Sequence, residues 1–278
     1  MSGIAGFYQS NLDFTQNPMW QSRLESMKSS LLHRGPDENG ILLFPHAGLA
    51  QTHLAVREIG SGRLPMQKKM GDGHVSIVYD GELFNRTELK DMLTFYPLEW
   101  ESKSDAEIIL NGYMAVGFSF FQKLNGVFAF AVYDTASDTL MLVRDPLGAK
   151  PLFFQQTEDC FIFGSEAKAL FAYGIQPKIN LQSFQEIFGL GPARTPGLGV
   201  FSGMHEVLPG HIIVLTPSSC TSAAYFCLRA LEHTDSYTQT VEKTTWLVTD
   251  SILRQMEADA PICTFLSGGL DSSLVSAV

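Results

Sequence analysis

The chain opens on GIAGFY at residues 3–8, an unbroken run of apolar and small positions that reads as a buried strand. NPMWQSRLESMKSSLLHRG then places Trp20, Leu24, Met27 and Leu31 on one helical face, with Asn17 as cap, Pro18 in the first turn and Gly35 at the end. ILLF, LAQTHLAV and VSIVY predict strands. SDAEIILNGYMAVG predicts a helix, with Ser104 and Glu107 spaced as a capping box and Ile109, Tyr113 and Val116 as its inner stripe. VFAFAVYDTASDTLMLVRD reads as a hairpin turning at residues 134–138, and LFF with CFIFGSE as a second. SEAKALFAY and LQSFQEIFGL are helical, and HIIVL is a late strand after the Pro209-Gly210 turn. Strands that come as hairpins predict antiparallel sheets with helices on their outer faces, an α+β arrangement.

The pattern changes near residue 220. A long helix is expected from about Tyr237 to Met256, followed in PICTFLSGGLDSSLVSAV by an apolar strand, a glycine-rich turn and a helix start. The expected division is residues 1–216, a linker over 217–235, and 236–278 as the start of a nucleotide-type α/β unit. In SGGLDSS the Gly268-Gly269 turn lets backbone N–H groups converge, and serine hydroxyls flank the helix start, a nest suited to a pyrophosphate-sized anion. It lacks the lysine of a Walker loop and resembles the pyrophosphate loop of ATP pyrophosphatases. Five residues follow Ser273, far fewer than a βαβ unit needs, so the expectation is a truncated chain. The glycine-rich stretch 189–199, where Arg194 replaces a needed glycine, is expected to be an interdomain loop.

Composition narrows the function classes. With 45% apolar and 17% charged residues the chain reads as soluble and globular, and a net charge of −10 argues against nucleic acid as a partner. No apolar run reaches a membrane span and no secretory signal opens the chain, so no membrane partner and a cytoplasmic location are expected. Cys160, Cys220, Cys227 and Cys263 have no zinc-site spacing and read as buried reduced thiols, and no metal site is expected.

One feature stands outside this pattern: the lone hydroxyl of Ser2 in front of a buried strand. SGIAGFY, HRGPDENG, YDGELFN, SDAEIIL, LNGVFAFAVYD, RDPLGAKPLF, FGSEAKAL, LPG and FLSGGLDSS occur in this order. Together they resemble the bacterial B-type glutamine-dependent asparagine synthetases along essentially the whole chain. The resemblance implies a four-layer αββα sandwich of the N-terminal-nucleophile class (class II glutamine amidotransferase), then the first strand and loop of an α/β ATP-pyrophosphatase domain. It implies glutamine, aspartate and ATP as the substrates of the intact enzyme, with ATP and Mg2+ as cofactor, no cofactor being expected to bind this truncated chain well, and it is compatible with a homodimer. Ser2 takes the nucleophile position once Met1 is removed, and Asp80 and Gly81 take the oxyanion position. His53, Gly81, Glu82 and Asp105 take the glutamine-binding positions, and Leu266, Ser267, Gly268, Gly269, Asp271 and Ser272 the ATP-binding ones.

Three departures from the family accompany this. Ser2 stands where the family has cysteine, and a hydroxyl is a weaker nucleophile. Asp80 stands where the family has an asparagine donor to the oxyanion, and losing one such donor costs roughly 3–4 kcal/mol. His53 stands where an arginine takes the substrate carboxylate, and Arg57, about 13 Å further along a strand, is a poor substitute. An impaired glutaminase is therefore expected. The alternatives are a catalytically dead module that serves a structural or partner-binding role, and an N-terminal-serine hydrolase of another amide.

Overall fold

The computed structural model describes residues 2–57, 64–191 and 195–278. Met1 and Arg194 lie outside the described residues. The chain divides into two compact units, Met1–Ala55 with Ser61–Cys227, and Val56–Gly60 with Leu228–Val278.

In the first unit the elements begin with β1 (Gly3–Tyr8), α1 (Pro18–Ser30), β2 (Glu38–Leu43), β3 (Ala47–His53), β4 (Met66–Met70) and β5 (Gly73–Leu83). Next come α2 (Arg86–Leu93), α3 (Asp105–Val116), β6 (Gly126–Asp134), β7 (Thr139–Arg144), β8 (Phe153–Gln156) and β9 (Phe161–Gly164). The unit ends with α4 (Ala167–Tyr173), α5 (Leu181–Leu190), β10 (His205–Glu206), β11 (His211–Thr216) and β12 (Ser219–Ala224). Two six-stranded sheets form, in the orders β10-β8-β9-β1-β3-β2 and β12-β11-β7-β6-β5-β4. Every described pairing between these strands is antiparallel.

Alternation along the strands builds the layers. On β6, Phe128, Phe130 and Val132 pack toward α2 and α3, while Ala129, Ala131 and Tyr133 enter a core shared with Ile4, Leu49 and Phe163 of the other sheet. On β1, Ala5 and Phe7 face α1 and α4. The result is helix, sheet, sheet, helix, with an apolar core in each of the three gaps.

The structure differs from the sequence reading in several places. Ser104 does cap α3 by accepting from the Glu107 N–H, but the Glu107 side chain turns away, so the capping box is half formed. Val116 is 40% exposed, and α3 instead buries every residue from Ala106 to Gly112, because sheet and neighbouring helices surround its first turns. The stretch expected to be a linker begins with β12, which extends the second sheet. The glycine-rich stretch 189–199 joins α5 to β10 within the first unit rather than joining domains. Cys160 is buried as expected, whereas Cys220, Cys227 and Cys263 are exposed.

The second unit holds α6 (Tyr237–Arg254) and α7 (Leu270–Ala277), neither of which has a buried residue. Residues 261–266 form no strand. Among the described residues of this unit no strand lies beside them, and a strand without a ladder partner has nothing to hold it extended. Among the described residues no helix is long and apolar enough to cross a membrane.

One buried ionic cluster ties β4 to α3. Lys68 Nζ lies 2.5 Å from Glu107 Oε1 and donates to Asn111 Oδ1 at 3.0 Å. Glu107 also accepts from the Glu101 and Ser102 N–H groups and from the Ser102 hydroxyl. Burial works to raise the Glu107 carboxyl, but Lys68 and these donors outweigh it and hold the group below its ordinary 4.5. Its stabilisation is therefore present above pH 4.5 and lost as pH falls through the lower folded value. Lys68→Met, which strands the carboxylate, should lower stability by about 3–5 kcal/mol in urea titrations at pH 7. Glu107→Gln should flatten the fall in stability below pH 4.5, and an unchanged acid limb would show that the cluster contributes nothing to it.

Candidate active site

Strand register brings Ser2 to its partner. Gly3 lies opposite Thr52 in the β1–β3 ladder, so the next position outward sets Ser2 across from His53. Ser2 shares the parity of Ile4 and Tyr8 on β1, His53 that of Ala47 and Leu49 on β3, and Asp80 that of Val78 on β5. All three side chains are thereby directed between the two sheets. There the Ser2 Oγ lies 3.0 Å from His53 Nδ1, and the Ser2 N–H donates to Asp80 Oδ1 at 3.0 Å.

Asp80 is 1% exposed, and its charge is answered from two directions. Arg34 donates from Nη2 to Asp80 Oδ2 at 2.9 Å, from Nε to the Ser2 carbonyl at 2.7 Å and from Nη1 to Glu166 Oε1 at 3.0 Å. Gly35 makes this reach possible. A Cβ there would lie 2.3 Å from the His53 backbone nitrogen, so a glycine lets the chain leaving α1 pass the end of β3. Glu166 holds Arg34 from its far side. Burial opposes ionisation of Glu166, but Lys168, Arg34 and His33 prevail and bring it down to about 2.

Lys150 Nζ approaches Asp80 Oδ1 at 3.4 Å from the loop after β7. That loop is fixed from within. Asp145 accepts from the N–H groups of Leu147, Ala149 and Lys150, and Arg144 donates to the carbonyls of Lys150, Gly148 and Val207.

The imidazole of His53 is held neutral near pH 7. Burial lowers it below its ordinary 6.5 and prevails over the opposing charges of Glu38, Asp37 and Asp80. A neutral imidazole cannot form the forked pair that an arginine makes with a carboxylate. Arg57 donates from its guanidinium to the Glu257 carbonyl and lies 3.9 Å from that residue's carboxylate.

Gly81 offers a backbone donor. On β5 the Tyr79 N–H donates to Gln51 Oε1 at 3.1 Å, and the Leu83 N–H to Asp105 Oδ2 at 2.8 Å. N–H directions alternate along a strand, so Gly81, midway between them, points its N–H off the same edge. A Cβ at Gly81 would lie 2.4 Å from the Val127 carbonyl oxygen, which restricts the position to glycine. Glu82 follows on β5, half-buried and opposite Val127.

Asp105 is not among the groups bonded to Ser2. It sits at the start of α3 beyond that edge, accepts from the Tyr79 hydroxyl at 3.2 Å, and pairs with Arg86 Nε at 3.0 Å. A carboxylate that already has a guanidinium partner is a weaker holder of a substrate ammonium. In the second unit Leu266 and Ser267 precede the Gly268-Gly269 turn, Gly268 has φ +84°, and α7 then begins with Asp271 in its first turn. The Ser267 and Ser272 hydroxyls meet at 2.9 Å across this loop.

Four residues that shape the site escaped the sequence reading: Arg34, Lys150, Glu166 and Arg86. The first three lie inside HRGPDENG, RDPLGAKPLF and FGSEAKAL, so their signal was present as motif membership. Arg86 follows YDGELFN and carries no signal of its own.

Residues 1–226 match the glutamine amidotransferase domain model and residues 243–278 the asparagine synthase model. The chain is 37% identical to asparagine synthetase [glutamine-hydrolyzing] 3 of Bacillus subtilis, over 100% of this chain and 45% of that protein. It is 29% identical to amidase chyE of Penicillium rubens, over 88% of this chain and 36% of that protein. The chain thus spans about half or less of the length of these relatives. Among solved structures it superposes on the B. subtilis glutamine phosphoribosylpyrophosphate amidotransferase with a TM-score of 0.58 at 16% identity, over 81% of this chain and 49% of that one, a likeness of fold. The chain belongs to the glutamine amidotransferase domain family and has the domain order of the glutamine-hydrolysing asparagine synthetases.

Proposed function

We propose that this chain carries the ammonia-releasing half and the opening of the ATP-using half of an asparagine synthetase-type protein, with its glutamine site altered so that glutamine turns over weakly. One observation carries this reading. At the position where the family resemblance implies an oxyanion donor, Asp80 presents a carboxylate that is already tied to Ser2, Arg34 and Lys150. An ionised carboxylate has no hydrogen to give.

The recognition groups support the same reading. Glutamine carries a carboxylate and an ammonium at one end. The group expected to meet the carboxylate is a neutral imidazole, and the group expected to meet the ammonium already pairs with Arg86. Both halves of the zwitterion lose their complement. Gly81 keeps its backbone donor, so part of the acyl-transfer apparatus persists.

The resemblance makes aspartate and ATP with Mg2+ the substrates and cofactor of the other half, in cytoplasmic amino-acid biosynthesis. The loop from Leu266 to Ser272 fits one part of that role. Gly268 lies in a left-handed conformation with open space beside its α-carbon, and the Ser267 and Ser272 hydroxyls meet at 2.9 Å across the loop, which supports that reading. Bound there, ATP would supply the leaving group that activates a carboxylate.

Ammonia release from glutamine tests the reading. The chain should stay within a few-fold of a Ser2→Ala control, and Ser2→Cys alone should restore little. The combined Ser2→Cys, His53→Arg and Asp80→Asn variant should gain at least about 10²–10³-fold, the scale of one restored oxyanion donor. Full activity in the Ser2→Cys single variant would show that His53 and Asp80 do not limit the reaction.

A further inference from the structure

Ser2 makes two hydrogen bonds that separate its two chemical groups. Its nitrogen faces the Asp80 carboxylate at 3.0 Å, and its hydroxyl faces the His53 imidazole at 3.0 Å. In the N-terminal-nucleophile scheme the α-amine accepts the hydroxyl proton. Once Ser2 is the first residue, that amine sits against a carboxylate, which favours its charged form, and an ammonium accepts no proton. The imidazole is the group placed to do so.

We propose that His53 is the general base for Ser2, and that the pair hydrolyses esters or amides of small uncharged acyl groups. This rests on the reading above, that the pocket no longer complements the glutamine zwitterion, and adds what it can turn over. Ser2 Oγ forms a bond to the acyl carbon while its proton passes to His53 Nδ1. The carbonyl π pair moves to oxygen, where a backbone donor such as the Gly81 N–H would stabilise it. The carbon–oxygen or carbon–nitrogen bond to the leaving group then breaks, and that group departs with the proton from His53. Water attacks the resulting ester on Ser2, gives its proton to His53, and the released Ser2 oxygen recovers it. No redox partner or further reactant is needed.

The surroundings of His53 suit a base. Glu38 lies opposite it in the β2–β3 ladder, the Asp37 N–H donates to its carbonyl, and Asp80 faces it from β5. These acids raise its proton affinity, while burial lowers it and prevails. Arg34 and Lys150 spend their charge on Asp80, which limits its pull on the imidazole. With Nδ1 unprotonated, the ring accepts from the Ser2 hydroxyl. The absence of a guanidinium at this position also removes the preference for an acyl chain that ends in a carboxylate.

Hydrolysis of p-nitrophenyl acetate by the chain with Met1 removed, its processing checked by intact mass, is the test, with ammonia release from glutamine measured alongside. The expected result is a single acetyl group on Ser2 by peptide mass, and a kcat/KM profile whose acid limb lies below pH 6.5. Ser2→Ala should abolish the labelling. His53→Gln should lower kcat/KM by about 10²–10⁴-fold with an unchanged melting temperature. His53→Ala should regain rate with added imidazole, which a merely structural histidine would not show. An acid limb near pH 8 with His53→Gln close to the parent would assign the base to the amine and overturn the proposal. Loss of Ser2-dependent acetylation from the parent would overturn it as well. Vigorous glutamine turnover would instead contradict the reading of a weakened glutaminase, while the His53 variants and the position of the acid limb would still decide the base.

Discussion

A carboxylate buried between two sheets is the constraint from which the site follows. Isolated in that setting, Asp80 would cost several kcal/mol, so partners must be brought to it. The chain supplies Arg34 from the turn after α1 and Lys150 from the loop after β7. Each commitment propagates. Arg34 also grips the Ser2 carbonyl and Glu166, which joins the first strand to the segment entering α4. Lys150 can arrive because Asp145 and Arg144 fix the loop that carries it. The position of Ser2 is thus set by ion pairs that reach into four separate segments.

That arrangement gives the nitrogen and the hydroxyl of Ser2 different partners. The hydroxyl and a neutral imidazole lie 3.0 Å apart, within reach of proton transfer. Of the groups that the resemblance sets at the amino-acid end of glutamine, His53 is a neutral imidazole by burial and Asp105 pairs with Arg86. The fold of the glutamine amidotransferase domain persists around them. The Ser2 nitrogen is held by the Asp80 carboxylate.

Much of the fold was legible because its strands alternate cleanly. The hairpin pattern in VFAFAVYDTASDTLMLVRD and the buried run GIAGFY predicted antiparallel sheets, and parity alone directs Ser2, His53 and Asp80 into one gap. Elements whose shape depends on neighbours were harder to read. α3 is surrounded near its start, so its inner stripe was too narrow a description, and Glu107 answers Lys68 from a distant strand rather than its own helix cap. β12 is polar and exposed, with no pattern to announce it, and residues 261–266 look like a strand but have no ladder partner among the described residues. At the site, the contact between Ser2 and His53 depends on strand register. The pairing of Asp105 with Arg86 depends on how two helices meet, which no local spacing encodes.

The most direct measurement is a ¹⁵N NMR titration of the His53 ring in the intact chain. The imidazole should titrate below its ordinary 6.5, with Nδ1 unprotonated and hydrogen-bonded while the ring is neutral. A ring that stays cationic at pH 7, or a neutral ring with its proton on Nδ1, would contradict this.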